Sequence, residues 1–509
     1  MESAFTVLLE ARTRMSRINT NVESLISRRT MGINSRSLNQ ALERLSTGLR
    51  INSGADDPAG LIASETLRSN IRAISSAIDN ANRADTIVSV AEGGLQEVSS
   101  LLLELENLID QTANTTGLTP EEVSANQLQI DAILESIDRL SQATAFGSKK
   151  LLNGTLDFTT SGVNVTESTG AAVSHLASVK VNSAKMPNDS YRSVNINVVA
   201  KSQVALLSSV LAGTNGSGVK NGTLGDPTTI QITGNYGTDT LSFTSGATTA
   251  TIATAINASK ELTGVSATAS AATGGPASLV LQSTAYGSDA FISVSILENS
   301  STAFASQAAT DEDYGVDGTV TVNGTNAVVN GLDGSVRTGG LSVDFTLTTA
   351  FGGTTGGTTS FEVTGGGAVF SISPEVGLSG QESIGITEVA ASSLGNSNVG
   401  FLSTLKTGLT NDLSSENFAT AQRIVRAAIN QIASLRGRLG AFQKDTLQTT
   451  INSLQVAREN VTAAESAIRD ADFAVETSNL TRAQILVSSS TSVLRLANTQ
   501  PQSVLSLLQ

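Results

Sequence analysis

The chain has 509 residues, with 45 acidic and 31 basic side chains, a net charge of −14 and an isoelectric point near 4.7. That balance excludes a general nucleic-acid binder, because phosphate neutralisation needs clustered Lys and Arg. There is no Cys and a single His, His175, which excludes disulfide frameworks, thiol catalysis and any two-His metal site within one chain.

The opening MESAFTVLLEARTR places Glu2 where a signal peptide carries positive charge. Its apolar run from Phe5 to Leu9 is short for a signal core, so no cleaved secretion signal is expected. Membrane insertion is not expected either, since no window approaches the ~18 uninterrupted apolar residues of a span. The stretch LSTGLRINSGADDPAG sets Gly48, Gly54, Pro58 and Gly60 among Asn and Asp. This helix-interrupting cluster between two apolar-periodic stretches reads as a joint.

Beyond it, apolar positions fall at Leu67, Ile71, Ile74, Ile78, Ala81, Ala84, Val88, Ala91, Leu95, Val98, Leu102, Leu105 and Ile109. Their alternating steps of four and three are the seam of a coiled coil, with one extra three-residue step at Ala84 that overwinds it locally. A second helix is expected to open at Pro120, with Glu121 and Glu122 suited to the positive end of its dipole, and to stop at FGSKKLLNGT.

The middle of the chain follows other rules. Residues 191–400 hold 31 of the 45 glycines but only 5 of the 31 Lys and Arg, so helix-breaking turns dominate there. Segments such as SVNINVVA, TTIQITG, DTLSFTSG, ASLVLQS, FISVSIL, GTVTVNG and LSVDFTLTT cluster or alternate β-branched residues and read as strands. One short helix is expected between them, Ile252 to Leu262, ending before Gly264, and GGTTGGTTS reads as loop. His175 reads as structural. DEDYGVDG has Val322, not Glu, at the closing position of an EF-hand loop, and GSGVKNG lacks the GxGxxG spacing, so no metal, nucleotide or other cofactor is expected. The sequons Asn153-Gly-Thr155 and Asn221-Gly-Thr223 are of a kind that arises by chance in Asn/Gly/Thr-rich loops. No catalytic constellation is visible, and the chain is expected not to be an enzyme.

The helical pattern returns at Ala421, Val425, Ala428, Ile432, Leu435, Leu439 and Phe442, and resumes through Leu447, Ile451, Leu454, Ala457, Val461, Ala464 and Ile468. Two long seams far apart in the chain, neither able to bury its stripe alone, most simply pack on each other. The expected fold class is therefore α+β: a long α-helical coiled-coil core built from both chain ends, with an inserted mainly-β outer region. The last stripe steps Leu480, Ala483, Val487, Ser490, Leu494, Ala497, Pro501, Val504 and Leu508, with Leu505 beside it and Pro501 expected to kink the helix. After Arg482 the only charged side chain is Arg495, so this segment is expected to gain order on association.

Three stretches carry a family likeness. INTNVESL (Ile18 to Leu25), ALERLSTGLRINSGADDPAGLIAS (Ala41 to Ser64) and DADFAVETSNLTRAQILVSSSTSVLRLANTQPQSVLSLL (Asp470 to Leu508) resemble the two ends of bacterial flagellin. TATIATAINASKELTGVSATAS also resembles a repeat inserted in flagellins and related filament proteins. The resemblance implies a subunit that is exported without a cleaved signal and self-assembles into the extracellular flagellar filament for swimming motility. Residues 15–56 with 468–509 would form the inner filament core, 57–190 with 396–467 a coiled-coil outer tube, and 191–395 the projecting insertion.

Family members begin near the residue matching Met15, so residues 1–14 are expected to be a non-native or disordered extension. The implied partners are other copies of the chain, an export chaperone at the C-terminal helix, the flagellar type III export apparatus, and the filament cap and hook-junction proteins. Many flagellins detected by Toll-like receptor 5 carry an Arg where alignment on Leu95, Glu97 and Gln111 to Asn114 puts Glu104, a charge reversal that implies weak receptor activation. The alternatives to a filament subunit are the hook-filament junction protein, which shares both end signatures, and a filament subunit whose insertion acts as an adhesin.

Overall fold

The computed structural model describes residues 20–114, 117–166, 172–186, 191–211, 223–224, 227–270, 278–298, 304–306, 312–396 and 399–507. The expectations for residues 1–14, Met15, Leu508 and the GSGVKNG segment lie outside these. The longer helices are α1 (Val22–Thr47), α2 (Pro58–Thr112), α3 (Pro120–Ala143), α4 (Thr249–Ala258), α5 (Phe418–Ala441), α6 (Thr449–Arg469) and α7 (Phe473–Leu507). A π-helical turn, Phe442–Gln448, joins α5 to α6.

Two compact units divide the chain. One combines residues up to Asp79 with those from Thr450 onward, and the other runs from Asn80 to Thr449. In the first, α1 pairs with α7, while the opening turns of α2 pack Ile74, Ala77 and Ile78 on Leu454, Ala457 and Val461 of α6. Leu67 and Ile71, earlier on the same stripe, are half-buried. Glu65 of α2 receives Arg68 at 2.9 Å and Arg469 at 3.0 Å. Helix α7 continues through Pro501 to Leu507 and does not end there. The fixed φ of proline is itself helical, so the chain loses one ladder bond without leaving the helix.

In the second unit Leu95, Val98, Leu102 and Leu105 of α2 have no exposed surface. Val425, Ile432, Leu435 and Leu439 of α5 are also buried, as are Ile130, Leu134 and Ile137 of α3. Polar side chains tie α5 to α2 along its length: Gln422 to Asp110 at 2.7 Å, Arg426 to Glu106 at 2.8 Å and Arg436 to Glu92 at 2.9 Å. Helix α3 opens on Pro120 behind a full capping box, in which Glu122 N–H donates to Thr119 Oγ1 and Thr119 N–H donates to Glu122 Oε2.

The β region forms two lobes. The chain enters with β1 (Phe158–Ser161), β2 (Leu176–Ala184) and β3 (Arg192–Ala200). A second lobe follows, with β4 (Val204–Leu211), β5 (Thr228–Gly234), β6 (Thr238–Phe243), β7 (Val265–Ser270), β8 (Ser278–Tyr286), β9 (Phe291–Glu298), β10 (Phe304–Ser306) and β11 (Glu312–Tyr314). The chain returns through β12 (Thr319–Val322), β13 (Thr325–Asn326), β14 (Val328–Asn330), β15 (Asp333–Thr338), β16 (Leu341–Leu347) and β17 (Thr358–Gly366). The first lobe stacks the sheets β13-β12-β3-β17-β1 and β14-β15-β16-β2 around Val194, Val343 and Phe361, and the second stacks β6-β5-β9-β11 and β7-β8-β4-β10, with α4 in its core.

Because Phe158, Leu176 and Val181 share the first lobe's core, the β region begins before the boundary expected at 191. GGTTGGTTS is loop only in its first part, since Thr358 to Ser360 open β17. The single helix expected from Ile252 to Leu262 is instead two: α4 ends at Ala258, and a separate turn, Lys260–Thr263, is closed by Gly264, whose φ of 75° is left-handed. His175 stacks on Phe351 with ring centroids 4.5 Å apart. Asp317, in the segment weighed for calcium, clamps the junction of the lobes: it accepts N–H bonds from Gly331 at 2.7 Å and Ser288 at 3.0 Å. From α5, Arg423 pairs with Glu261 at 3.1 Å and lies 5.8 Å from the Tyr236 ring centroid, holding the second lobe to the helix.

Candidate assembly surface

The α1–α7 pair is built from small residues on the inside. Ser27 and Ala41 of α1 and Ala483, Ser490 and Ala497 of α7 are the buried contact positions, with half-buried Leu480, Val487 and Leu494 between them. Small side chains let two helices approach closely, and polar bonds then fix the register. Asn21 Nδ2 donates to the Ala497 carbonyl at 2.7 Å, Ser24 Oγ to Asn498 Oδ1 at 2.8 Å, and Asn34 Nδ2 to Ser490 Oγ at 2.6 Å. Nearer the joint, Arg44 pairs with buried Glu476 at 3.1 Å.

The joint LSTGLRINSGADDPAG folds as a clip against the connection between α6 and α7. Gly48 ends α1 with a left-handed φ of 72°, Arg50 N–H donates to the Arg469 carbonyl at 2.7 Å, and Ala471 N–H donates to the Gly48 carbonyl at 2.9 Å. Ile51 plugs the interior at 1 % exposure. Asp56 accepts N–H bonds from Ser53 at 2.9 Å and Asn52 at 3.2 Å, and these bonds, the Ser53 backbone first, outweigh desolvation and hold its carboxyl below the ordinary range. Gly54 lies in this turn and Pro58 is the first residue of α2. Gly60 follows, where an added Cβ would meet the Asp57 carboxylate and come within 2.7 Å of the Ile51 side chain, so any larger residue must displace one of them.

The large apolar side chains of the pair face outward. On α1 they are Val22, Leu25, Ile26, Ile33 and Leu42; on α7 they are Phe473, Val475, Ile485, Leu486, Val493 and Leu496. Leu25 is 55 % exposed, Ile485 60 % and Leu496 62 %, against 5 % for Ala483 and 7 % for Ala497. A monomer rarely shows such a run, and an extended apolar face on one element marks an interaction site.

The stripe Leu480, Ala483, Val487, Leu494 and Ala497 turns to α1 of the same chain, and the apolar face left exposed is the one carrying Ile485, Leu486, Val493 and Leu496. Periodicity could not separate the faces, because α7 is apolar on both; the small size of Ala483, Ser490 and Ala497 was the signal that marked the close contact. Val504 and Leu505 lie within α7, but their side chains are outside the described set. Glu104 sits exposed on α2.

Comparison with known proteins decides what presents this face. Residues 18–157 match the family described as the bacterial flagellin N-terminal helical region, 423–508 its C-terminal helical region, and 229–285 the flagellin hook IN motif. A flagellin of Salmonella rubislaw is 30% identical over 523 residues, covering 97% of this chain and 99% of that one. The chain belongs to the bacterial flagellin family.

A flagellin of Clostridium tyrobutyricum is 28% identical over 488 residues, covering 95% of this chain and all of that one. Among solved structures, the flagellar junction protein FlgL of Legionella pneumophila aligns with 81% of this chain and 100% of that one, at 14% identity and a TM-score of 0.25. That likeness carries no weight against the family assignment. As a flagellin, the chain is a structural subunit of the extracellular flagellar filament. The IN motif falls on β5 to β8 and α4 of the second lobe. None of the described helices is long and apolar enough to cross a membrane.

Proposed function

We propose that this flagellin polymerises through the outward apolar face of α1 and α7, each copy covering that face with its neighbours' equivalents. The inside-out packing of the pair carries the reading. Each Leu or Ile side chain withdrawn from water contributes about 1.5–3 kcal/mol, so a handful per subunit supplies a strong association drive. In this reading α1 and α7 form the inner layer, the helices α2, α3, α5 and α6 form the outer tube, and the two β lobes project outward. The role is structural and without catalysis. The same exposed face on α7 suits a chaperone before export through the type III apparatus, and caps or junction proteins would meet it at the filament ends.

The test is Leu496→Asp and Ile485→Asp, each placing a charge on the outer face without touching the α1 contact. Both variants should be secreted as folded monomers with unchanged helix content and should fail to polymerise when seeded. Normal filaments from either variant would refute the assignment of this face.

A further inference from the structure

The outward stripe of the α1–α7 pair is apolar but not uncharged. Arg29 falls four residues after Leu25 and four before Ile33, Arg36 three after Ile33, and Arg482 three before Ile485 and four before Leu486, the spacings that put side chains on one helix face. All three arginines are exposed. Among the described residues of this unit, the ion pairs join Arg44 to Asp56 and Glu476, and Glu65 to Arg68 and Arg469, and take up none of the three. The surrounding sequence offers them little: residues 20–42 and 477–500 together hold five arginines, Arg28 and Arg495 being the others, and one acidic residue, Glu23. Packing such a face on a purely apolar neighbour would bury guanidinium groups without anionic partners, which is strongly unfavourable.

The missing carboxylates stand at the other end of the pair. Around the joint, Glu43, Asp470 and Asp472 are exposed, Asp57 is half-buried, and none of the four enters those ion pairs. Beside them Ile62, Phe473 and Val475 are each more than half exposed. At a rise of about 1.5 Å per residue, Glu43 lies about 10 Å along α1 from Arg36 and about 21 Å from Arg29, and Asp472, at the start of α7, about 15 Å from Arg482. We propose that successive copies of the chain pack in stagger, the arginine-bearing stripe of one covering the carboxylate-bearing apolar surface at the joint of the next. This rests on the polymerising face proposed above and adds which surface covers it. A contact of stripe on stripe would set Arg29, Arg36 and Arg482 against the same residues of the neighbour, like charge on like. The staggered contact joins two different patches, so each copy keeps one of each kind free and the association propagates as an open polymer.

The test uses the full-length protein in seeded polymerisation, with charges reversed at exposed positions: Arg29→Glu with Arg36→Glu, Glu43→Arg with Asp470→Arg, and all four changes together. Each pair of changes should raise the critical concentration about tenfold or more at unchanged helix content, one by removing the cations and the other by removing their partners. The four changes together restore opposite charges across the contact and should return it to within about threefold of the parent. Should a reversed chain lose helix content, the neutral versions, Arg29→Gln with Arg36→Gln and Glu43→Gln with Asp470→Asn, carry the comparison with a loss of about threefold or more. Normal polymerisation of the Glu43→Arg, Asp470→Arg chain, or no recovery in the folded chain carrying all four changes, overturns the stagger. The polymerising face is judged separately by Leu496→Asp, which leaves these arginines and carboxylates in place: if it is blocked while both reversed chains assemble normally, the face stands and the stagger falls. Arginine-dependent binding of the monomer to phosphatidylglycerol vesicles, with normal filaments from both reversed chains, would also overturn it and assign the arginines to an anionic lipid surface.

Discussion

Removing Arg44 should destabilise the α1–α7 pair far more than neutralising its partner. Arg44 reaches Glu476 at 3.1 Å and Asp56 at 4.0 Å, and the Glu476 side chain is 8% exposed. Arg44→Met strands that carboxylate, with only Asn479 Nδ2 at 3.5 Å left to it, and breaking a buried pair by deleting one partner costs about 3–5 kcal/mol. The 24% exposure of Arg44 puts the expected loss near 3 kcal/mol. Glu476→Gln keeps the side-chain volume and a hydrogen-bond acceptor while Arg44 keeps Asp56, so it should cost about 1 kcal/mol. The double variant should lie close to Glu476→Gln, because no stranded charge remains. Hydrogen exchange of amides in α1 and α7 of the monomer, with thermal unfolding alongside, measures all three. Equal losses for the two single variants, or a strictly additive double variant, would refute the buried-charge argument.

Asp56 sets a pH dependence at the joint. Its folded pKa is depressed by the Ser53 backbone bond first, so it contributes stability above the unfolded carboxylate value and loses it as pH falls through the lower folded value. Exchange protection of the 48–60 segment should therefore decline below about pH 4, and Asp56→Asn should flatten that decline. At Glu104, the expected weak activation of Toll-like receptor 5 should rise on Glu104→Arg in a reporter assay. Full potency of the unaltered protein would contradict the reversal argument.

Much of the fold could be read from spacing. The seam through Leu95, Val98, Leu102 and Leu105 repeats strictly, and only a buried stripe demands such regularity, while the strands from Ser193 to Leu347 announce themselves by β-branched runs between turn residues. The start of the β region was harder, because β2 holds only Leu176, Val179 and Val181 as large aliphatics among Ser, Lys and Asn. Its place in the core is decided by pairing with β16, a contact across more than 150 residues that local pattern does not encode. The outward apolar face was hidden for the opposite reason: α7 carries too many apolar positions for periodicity to choose among them. Size separates the faces, with alanine and serine where the two helices touch and leucine and isoleucine on the exposed side.

The apolar stripe of α5 and α6 steps from Phe442 to Leu447, one residue beyond the regular spacing, and the π-helical turn Phe442–Gln448 spans that step. An α-helix rotates about 100° per residue, so an unabsorbed insertion would swing every later contact, Ile451 and Leu454 included, away from its partner. The wider turn takes the surplus residue locally, as π-bulges do. The rod thus preserves angular phase and not length: losing one residue inside this turn would merely restore an ordinary α-helical register, whereas the same loss one turn to either side would unseat the whole downstream stripe.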